Sequence, residues 1–139
     1  MVGGTLKFEL CAPDQELVAM DILDATIPGE DGVFTVYPGH TPFLSTLLPG
    51  VLVARDTANV DHHFAVHGGF AEVKDDTVII LADTFEFQDD IDQERAQRAK
   101  ERAEEMLRVP PEDIHWPQVE AALARAVARL RASNRHGYH

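Results

Sequence analysis

The sequence is poor in cysteine, in long apolar runs and, over its first part, in basic residues. Cys11 is the single cysteine, which excludes an internal disulfide. No apolar run approaches the ~18–20 residues that a membrane-spanning helix needs, so we expect no direct membrane insertion. Residues 1–7 lack the basic and apolar regions of a signal peptide, and we expect none.

Acidic residues outnumber basic ones, and the formal net charge is −12. This balance argues against binding to nucleic acid or to anionic lipid surfaces, because both require basic patches. Only Lys7, Arg55 and Lys74 are basic before residue 84, whereas the other nine of the twelve Lys and Arg residues follow it. The chain therefore changes character near residue 84.

Residues 1–88 carry the pattern of a β domain. Short β-branched and aromatic runs alternate with turn dipeptides such as Pro28-Gly29, Pro38-Gly39 and Gly68-Gly69. No helix-length segment separates these runs, so the pattern predicts an antiparallel β-sandwich or barrel rather than a parallel α/β sheet. The predicted strands are 5–11, 17–27, 32–37, 42–48, 51–56, 62–67, 69–74, 77–82 and 84–88.

Residues 89–139 have a helical period instead. Asp90 and Gln93 fit the ends of a capping box, and Pro110-Pro111 ends the first helix because proline cannot donate a backbone hydrogen bond. A second helix is predicted to begin at Pro117, and the short break favours an antiparallel hairpin. The apolar stripes comprise Ala96, Ala99, Ala103 and Met106, then Val119, Ala122, Leu123, Ala126, Val127 and Leu130. Because alanine buries little apolar area, we expect a weakly held hairpin.

Three histidines could suggest a metal site. His63 and His67 would share one face of a strand, whereas His62 would point to the other face. No cysteine or carboxylate cluster joins them at ligand spacing. We therefore interpret them as half-exposed strand histidines and predict no metal site.

The sequence shows no convergent nucleophile and base of an enzyme. Asp89, Asp90 and Asp92 could form an acidic catalytic pair, but they precede a helix, whose N-terminus stabilises carboxylates. Capping is the better interpretation for at least one of them. The glycines lie in turns between strands rather than in a loop that enters a helix, so no Walker-type phosphate loop is predicted. We expect no catalytic residue in this chain.

Arginines recur on both predicted helices. Arg95, Arg98 and Arg102 lie on one side of the first helix, and Arg125 and Arg129 are four residues apart on the second. Guanidinium groups on one seam repel each other unless an anion or an acidic partner lies between them, and their planar fork matches phosphate and carboxylate. The alternative interpretation is a solvated, salt-bridged helix face.

Three ordered stretches are more specific together than any one of them alone. The first is Ile27-Pro28-Gly29-Glu30-Asp31-Gly32 with Pro38-Gly39-His40-Thr41-Pro42. The second is Leu48-Pro49-Gly50-Val51 with Val66-His67-Gly68-Gly69-Phe70-Ala71-Glu72-Val73. The third is Ile80-Leu81-Ala82-Asp83 with Ile91-Asp92-Gln93-Glu94-Arg95-Ala96. In this order and spacing, over roughly residues 5–132, the chain resembles the epsilon subunit of bacterial F-type ATP synthases.

The resemblance implies an N-terminal antiparallel β-sandwich, residues 1–88, and a C-terminal antiparallel two-helix hairpin, residues 89–139. It implies a non-catalytic central-stalk rotor subunit of a proton-translocating enzyme at the cytoplasmic face of the bacterial inner membrane. The sandwich would contact the gamma subunit and the c-ring. The hairpin could extend toward the alpha and beta subunits and inhibit ATP hydrolysis, and no cofactor would be required.

In some members of that family the folded hairpin binds regulatory ATP through an isoleucine-aspartate-x-x-arginine-alanine motif. The residues that match this motif are Ile91, Asp92, Arg95 and Ala96. The residues at the family's supporting positions are Glu86, Arg102, Arg125 and Arg129. The resemblance therefore implies a regulatory ATP site in which the arginines neutralise the phosphates.

One departure from the family pattern falls at the edge that would meet the c-ring. After Gly32 the family usually has glutamate, leucine and glycine, where this chain has Val33-Phe34-Thr35. Because Val33 removes the charge of the glutamate, we expect the ring contact to rest on Glu30, Asp31 and His40.

A second function class is a free-standing, small-ligand-binding β-sandwich module with an unrelated helical tail. It predicts a stable monomer with no stalk partner. The ordered set of turns that ends in Ile91-Asp92-x-x-Arg95-Ala96 discriminates against it, because such a module has no reason to carry this set.

Overall fold

The structure, a computed structural model, describes residues 4–134. Nine strands precede a short 3₁₀ turn, Gln88–Asp90, and two helices, α1 (Gln93–Arg108) and α2 (Trp116–Ser133). The strands are β1 (Leu6–Cys11), β2 (Val18–Gly29), β3 (Gly32–Val36), β4 (Phe43–Leu47), β5 (Gly50–Asp56), β6 (Asp61–Val66), β7 (Gly69–Lys74), β8 (Thr77–Ala82) and β9 (Phe85–Phe87). All nine predicted strands are confirmed, because each has an observed counterpart whose bounds lie within two residues.

The long strand β2 joins the two layers of the sandwich. Its first half pairs with β1, and its second half pairs with β3 and β5, after a shift of register between Ile22 and Asp24. Such an irregularity bends a strand, which lets β2 belong to both layers. One layer contains β1, β8, β7 and β4 in that order, and the other contains β2, β5, β6 and β9, with β3 beside β2. All pairs are antiparallel except β1 with β8, which is parallel.

The core lies between the two layers. Alternate residues of each strand point inward, so Leu6, Phe8 and Leu10 of β1 are buried while their neighbours are not. Phe64 lies at the centre, with its ring centroid 6.4 Å from Phe8 and 6.3 Å from Phe85. Burial of each such side chain contributes roughly 1.5–3 kcal/mol to stability.

The turn between β6 and β7 requires glycine. Gly68 and Gly69 have φ angles of +82° and +121°, which residues with a Cβ adopt only under strain. A Cβ on Gly69 would lie 2.0 Å from the carbonyl oxygen of Leu81 on β8. This close approach fixes the turn. The backbone N–H of His67, just before the turn, donates to the carbonyl oxygen of Thr84 at 3.0 Å.

The first helix begins later than the capping-box pattern predicts. Asp92 is the N-cap, and its Oδ1 accepts a hydrogen bond from the backbone N–H of Arg95 at 3.0 Å. Asp90 lies instead in the 3₁₀ turn, and Ile91 is extended and packs against the cluster that contains Val51 and Ala65. The assignment of the cap to Asp90 was therefore wrong, because Ile91 must reach the sheet before the helix can start. The expectation that one of the three aspartates caps the helix is confirmed.

The second helix contacts both α1 and the outer side of β5 and β6. It begins at Trp116, with Pro117 in its first turn, one residue from the predicted start. Its buried residues are Val119, Ala126, Ala128 and Ala132. Ala128 and Ala132 lie outside the predicted stripe, because that stripe describes contact with α1 alone. Ala132 packs instead against Val51 and Ala65 of the sheet. No helix within residues 4–134 has the length and apolarity that crossing a membrane requires.

Candidate functional site

A cavity of about 600 Å³ lies where the two helices meet the end of the sandwich. Its volume is in the range of small-molecule sites. The lining residues come from β9, the 3₁₀ turn and both helices: Glu86, Asp90, Asp92, Arg95, Ala96, Arg98, Ala99, Arg102 and Arg129.

Four guanidinium groups and three carboxylates share this cavity. Three of the arginines, Arg95, Arg98 and Arg102, recur at three- and four-residue steps of α1 and so face one side. Arg98 lies 4.0 Å from Glu94, whose side chain is 90% exposed, which is a weak pairing. Within residues 4–134, neither Arg95 nor Arg102 has an ion-pair partner within 4.0 Å. The guanidinium groups of Arg95 and Arg102 are therefore available to a phosphate or carboxylate ligand.

Glu86 connects the sandwich to α2. Its Oε1 accepts a hydrogen bond from Nε of Arg129 at 2.5 Å and another from Nε2 of His67 at 3.0 Å. The side chain of His67 is 3% exposed, whereas those of Glu86 and Arg129 are about one-third exposed. The hydrogen bond from His67 is the main cause that lowers the pKa of Glu86 to about 2; burial opposes it, and Arg129 adds to it.

The interpretation of all three histidines as half-exposed was wrong for His67. His67 follows β6 at the glycine turn and points to β9, where Glu86 accepts its hydrogen bond. His62 is partly exposed and bonds through Nε2 to Oδ2 of Asp56 at 2.7 Å, and His63 is half-buried. No group of three or more potential ligands in the described part of the chain could hold a metal ion.

The structure brings together six of the eight residues predicted for the ATP site. Those that line the cavity are Glu86, Asp92, Arg95, Ala96, Arg102 and Arg129. Ile91 and Arg125 do not line it, and Ile91 packs against the sheet instead. Arg98 lines the cavity although the motif omits it; its spacing from Arg95 and Arg102 was the signal that could have included it.

Comparison with known proteins agrees with this architecture. Residues 5–88 match the family described as ATP synthase, Delta/Epsilon chain, beta-sandwich domain, and residues 89–134 match its long alpha-helix domain. The chain belongs to the ATP synthase delta/epsilon chain family.

Relatives of this epsilon-family chain match over nearly their whole length. The ATP synthase epsilon chain of Moorella thermoacetica is 40% identical over 130 residues, which cover 94% of this chain and 97% of the relative. That of Nitratidesulfovibrio vulgaris (strain DP4) is 41% identical over 127 residues, covering 91% and 94%. A chain in the Euglena gracilis mitochondrial ATP synthase (OSCP/F1/c-ring) superposes with a TM-score of 0.81 at 25% identity, covering 92% and 81%. A chain in the Tetrahymena thermophila central stalk and c-ring shares the fold, with a TM-score of 0.65 at 16% identity, covering 94% and 98%.

The three residues predicted for the ring edge of this epsilon-family chain do not lie in one turn. Glu30 and Asp31 are exposed between β2 and β3, whereas His40 lies in the loop at the other end of β3. Nδ1 of His40 is 2.6 Å from the carbonyl oxygen of Thr41. Val33, beside the acidic turn, is 68% exposed and presents an apolar side chain there.

Protonation of Glu86 is expected to weaken the attachment of α2 as the pH falls. Since the pKa of Glu86 is lowered from 4.5 to about 2, its carboxylate stabilises the folded chain above the unfolded-state value. This contribution decreases as the pH falls from about 4.5 toward 2. Glu86→Gln removes the titration, so the difference in the free energy of unfolding between wild type and variant should be largest near neutral pH and should shrink below pH 4.5.

Urea unfolding at stepped pH values measures this difference. Glu94→Gln is the matched control, because that carboxylate is 90% exposed on α1 and should show little difference at any pH. A Glu86→Gln difference that stays constant from neutral pH to about pH 3 would contradict the prediction.

Proposed function

We propose that this chain is the central-stalk rotor subunit of a proton-translocating F-type ATP synthase, where it couples the catalytic head to the c-ring. We further propose that its helices inhibit ATP hydrolysis when they extend toward the alpha and beta subunits. The observation that carries the proposal is the match of both family domains, in order, over residues 5–134. In this proposal the chain has no catalytic site, and its place is peripheral, at the cytoplasmic face of the bacterial inner membrane.

The outer face of β4, β7 and β8 supports a contact with the gamma subunit. Leu44, Phe70 and Leu81 are 66%, 54% and 53% exposed, and with Ile79 and Glu72 they line a shallow groove of about 320 Å³. Phe70 and Leu81 are cross-strand partners, so their side chains lie side by side. An exposed and mainly apolar face marks an interaction surface, and gamma is the stalk partner we assign to it. We assign the c-ring contact to the turn that carries Glu30 and Asp31, with Val33 beside it.

A charge on this face should weaken the contact with gamma. Phe70→Asp places a carboxylate where the proposed interface would bury it, so gamma binding should weaken by at least about tenfold. Val60→Asp is the matched control, because Val60 is similarly exposed, at 52%, in the turn between β5 and β6. Pull-down with the cognate gamma subunit measures binding, and failure of the wild-type chain to bind gamma would refute the proposed function.

The weak attachment of the hairpin supports its role as a movable inhibitor. Alanines supply most of the buried residues of both helices, and alanine contributes little apolar area. Removal of residues 90–139 should leave assembly intact and raise the rate of ATP hydrolysis by the assembled enzyme. The matched control is the same enzyme reconstituted with the full chain. An unchanged rate would reject inhibition by the helices.

The arginine-lined cavity supports binding of regulatory ATP to the folded hairpin. Arg95, Arg102 and Arg129 offer guanidinium groups from both helices to the phosphates. ATP titration of the isolated chain, followed by Trp116 fluorescence and calorimetry, should show binding that an Arg95→Ala/Arg129→Ala variant loses. Arg108→Ala/Arg131→Ala is the matched control, because it removes the same charge outside the cavity. Equal absence of binding by wild type and the first variant at millimolar ATP would refute the site.

A further inference from the structure

Two neighbouring contacts join the C-terminal part of α2 to the sandwich. Ala132 packs against Val51 and Ala65, and Arg129, one turn earlier, bonds to Glu86. Ala65 and Glu86 are cross-strand partners on β6 and β9. The apolar contact and the ion pair therefore lie side by side on the sheet.

An ion pair of this kind contributes little when both side chains are free to move. Exposed pairs between arginine and glutamate contribute little to stability, partly because two long side chains must be ordered. Glu86 and Arg129 are each about one-third exposed. Glu86 differs from an ordinary surface carboxylate because a buried donor, Nε2 of His67, holds the same oxygen that Arg129 binds.

The surroundings of His67 indicate which ring nitrogen carries the proton. Nδ1 is buried and has no hydrogen-bond partner in the described part of the chain. Nδ1 lacks a partner in either neutral tautomer, but a proton on Nδ1 would leave the lone pair of Nε2 facing the carboxylate of Glu86 with no hydrogen bond between them. With the proton on Nε2, the ring instead donates to the carboxylate of Glu86, 3.0 Å away. The geometry therefore favours the Nε2-protonated tautomer.

We propose that His67 is a positioning residue that fixes the Glu86 carboxylate so that its Oε1 holds Arg129, which keeps α2 on the sandwich and Arg129 at the cavity wall. The backbone of His67 is itself fixed by its bond to Thr84 and by the glycine turn that follows. The low pKa of Glu86, to which the bond from His67 contributes most, agrees with this role. The other charged groups that line the cavity beside Glu86 are Asp90, Asp92, Arg95, Arg98 and Arg102.

Two substitutions separate the donor from the bulk of the ring. His67→Gln keeps a side-chain N–H at similar reach, whereas His67→Leu keeps a similar volume without a donor. In the full chain, His67→Leu should raise the pKa of Glu86 from about 2 toward 4.5, measured by carbon NMR of its carboxylate. Amide hydrogen exchange in α2 should become about tenfold faster, while exchange in β5 stays unchanged. His67→Gln should restore both toward the wild-type values.

Several results would overturn the proposal. One is a pKa of Glu86 in His67→Leu that stays near the wild-type value. Another is a rate of amide hydrogen exchange in α2 that does not change. A third is equal acceleration of exchange in α2 and β5, which would mean a general loss of stability. Nitrogen NMR of the His67 ring in the wild-type chain does not depend on the folding of a variant. A proton found on Nδ1 would also overturn the proposal. His67→Leu should still bind gamma through the sandwich. A chain that fails to bind gamma but shows the predicted NMR behaviour would refute the proposed function and leave this inference standing.

Discussion

The carboxylate of Glu86 links the sheet to α2 through an ion pair with Arg129. It lies on the short strand β9, and its Oε1 accepts hydrogen bonds from a buried imidazole of the sandwich and from a guanidinium of α2. Beside it, Ala132 of α2 packs against Val51 and Ala65 of the sheet. Since alanine burial contributes little, this one carboxylate has an unusual influence on where α2 lies.

The same contact shapes the cavity between the helices. Arg129 faces both Glu86 and the cavity, where Arg95 and Arg102 stand opposite without ion-pair partners among the described residues. A bound anion would relieve the repulsion among these guanidinium groups by joining α1 to α2. Under the proposed function, folding of the hairpin and binding of an anion in the cavity would therefore depend on the same arrangement of charges.

The two outer faces of the sandwich differ in what covers them. Part of the face of β5 and β6 lies beneath α2, whereas the apolar face of β4, β7 and β8 is uncovered within residues 4–134. This division fits a protein that keeps one face for its own helices and offers the other to a partner. The sandwich core is independent of both, because its phenylalanines pack between the layers.

The sequence by itself determined the features that depend on near neighbours in the chain. The nine strands, the proline break after α1 and the common side of Arg95, Arg98 and Arg102 follow from local periodicity and from backbone limits of Pro and Gly. The family resemblance supplied most of the cavity residues, but it included Arg125 and Ile91 and omitted Arg98.

Only the tertiary structure decided the features that depend on packing between distant segments. The N-cap of α1 is Asp92 and not the predicted Asp90, because Ile91 packs against the cluster with Val51 and Ala65. The tertiary structure also buried His67 behind Glu86, nineteen residues further along the chain, and brought Arg129 to the same oxygen from α2. No local pattern encodes these positions, since each results from the way β6, β9 and α2 are placed together in space.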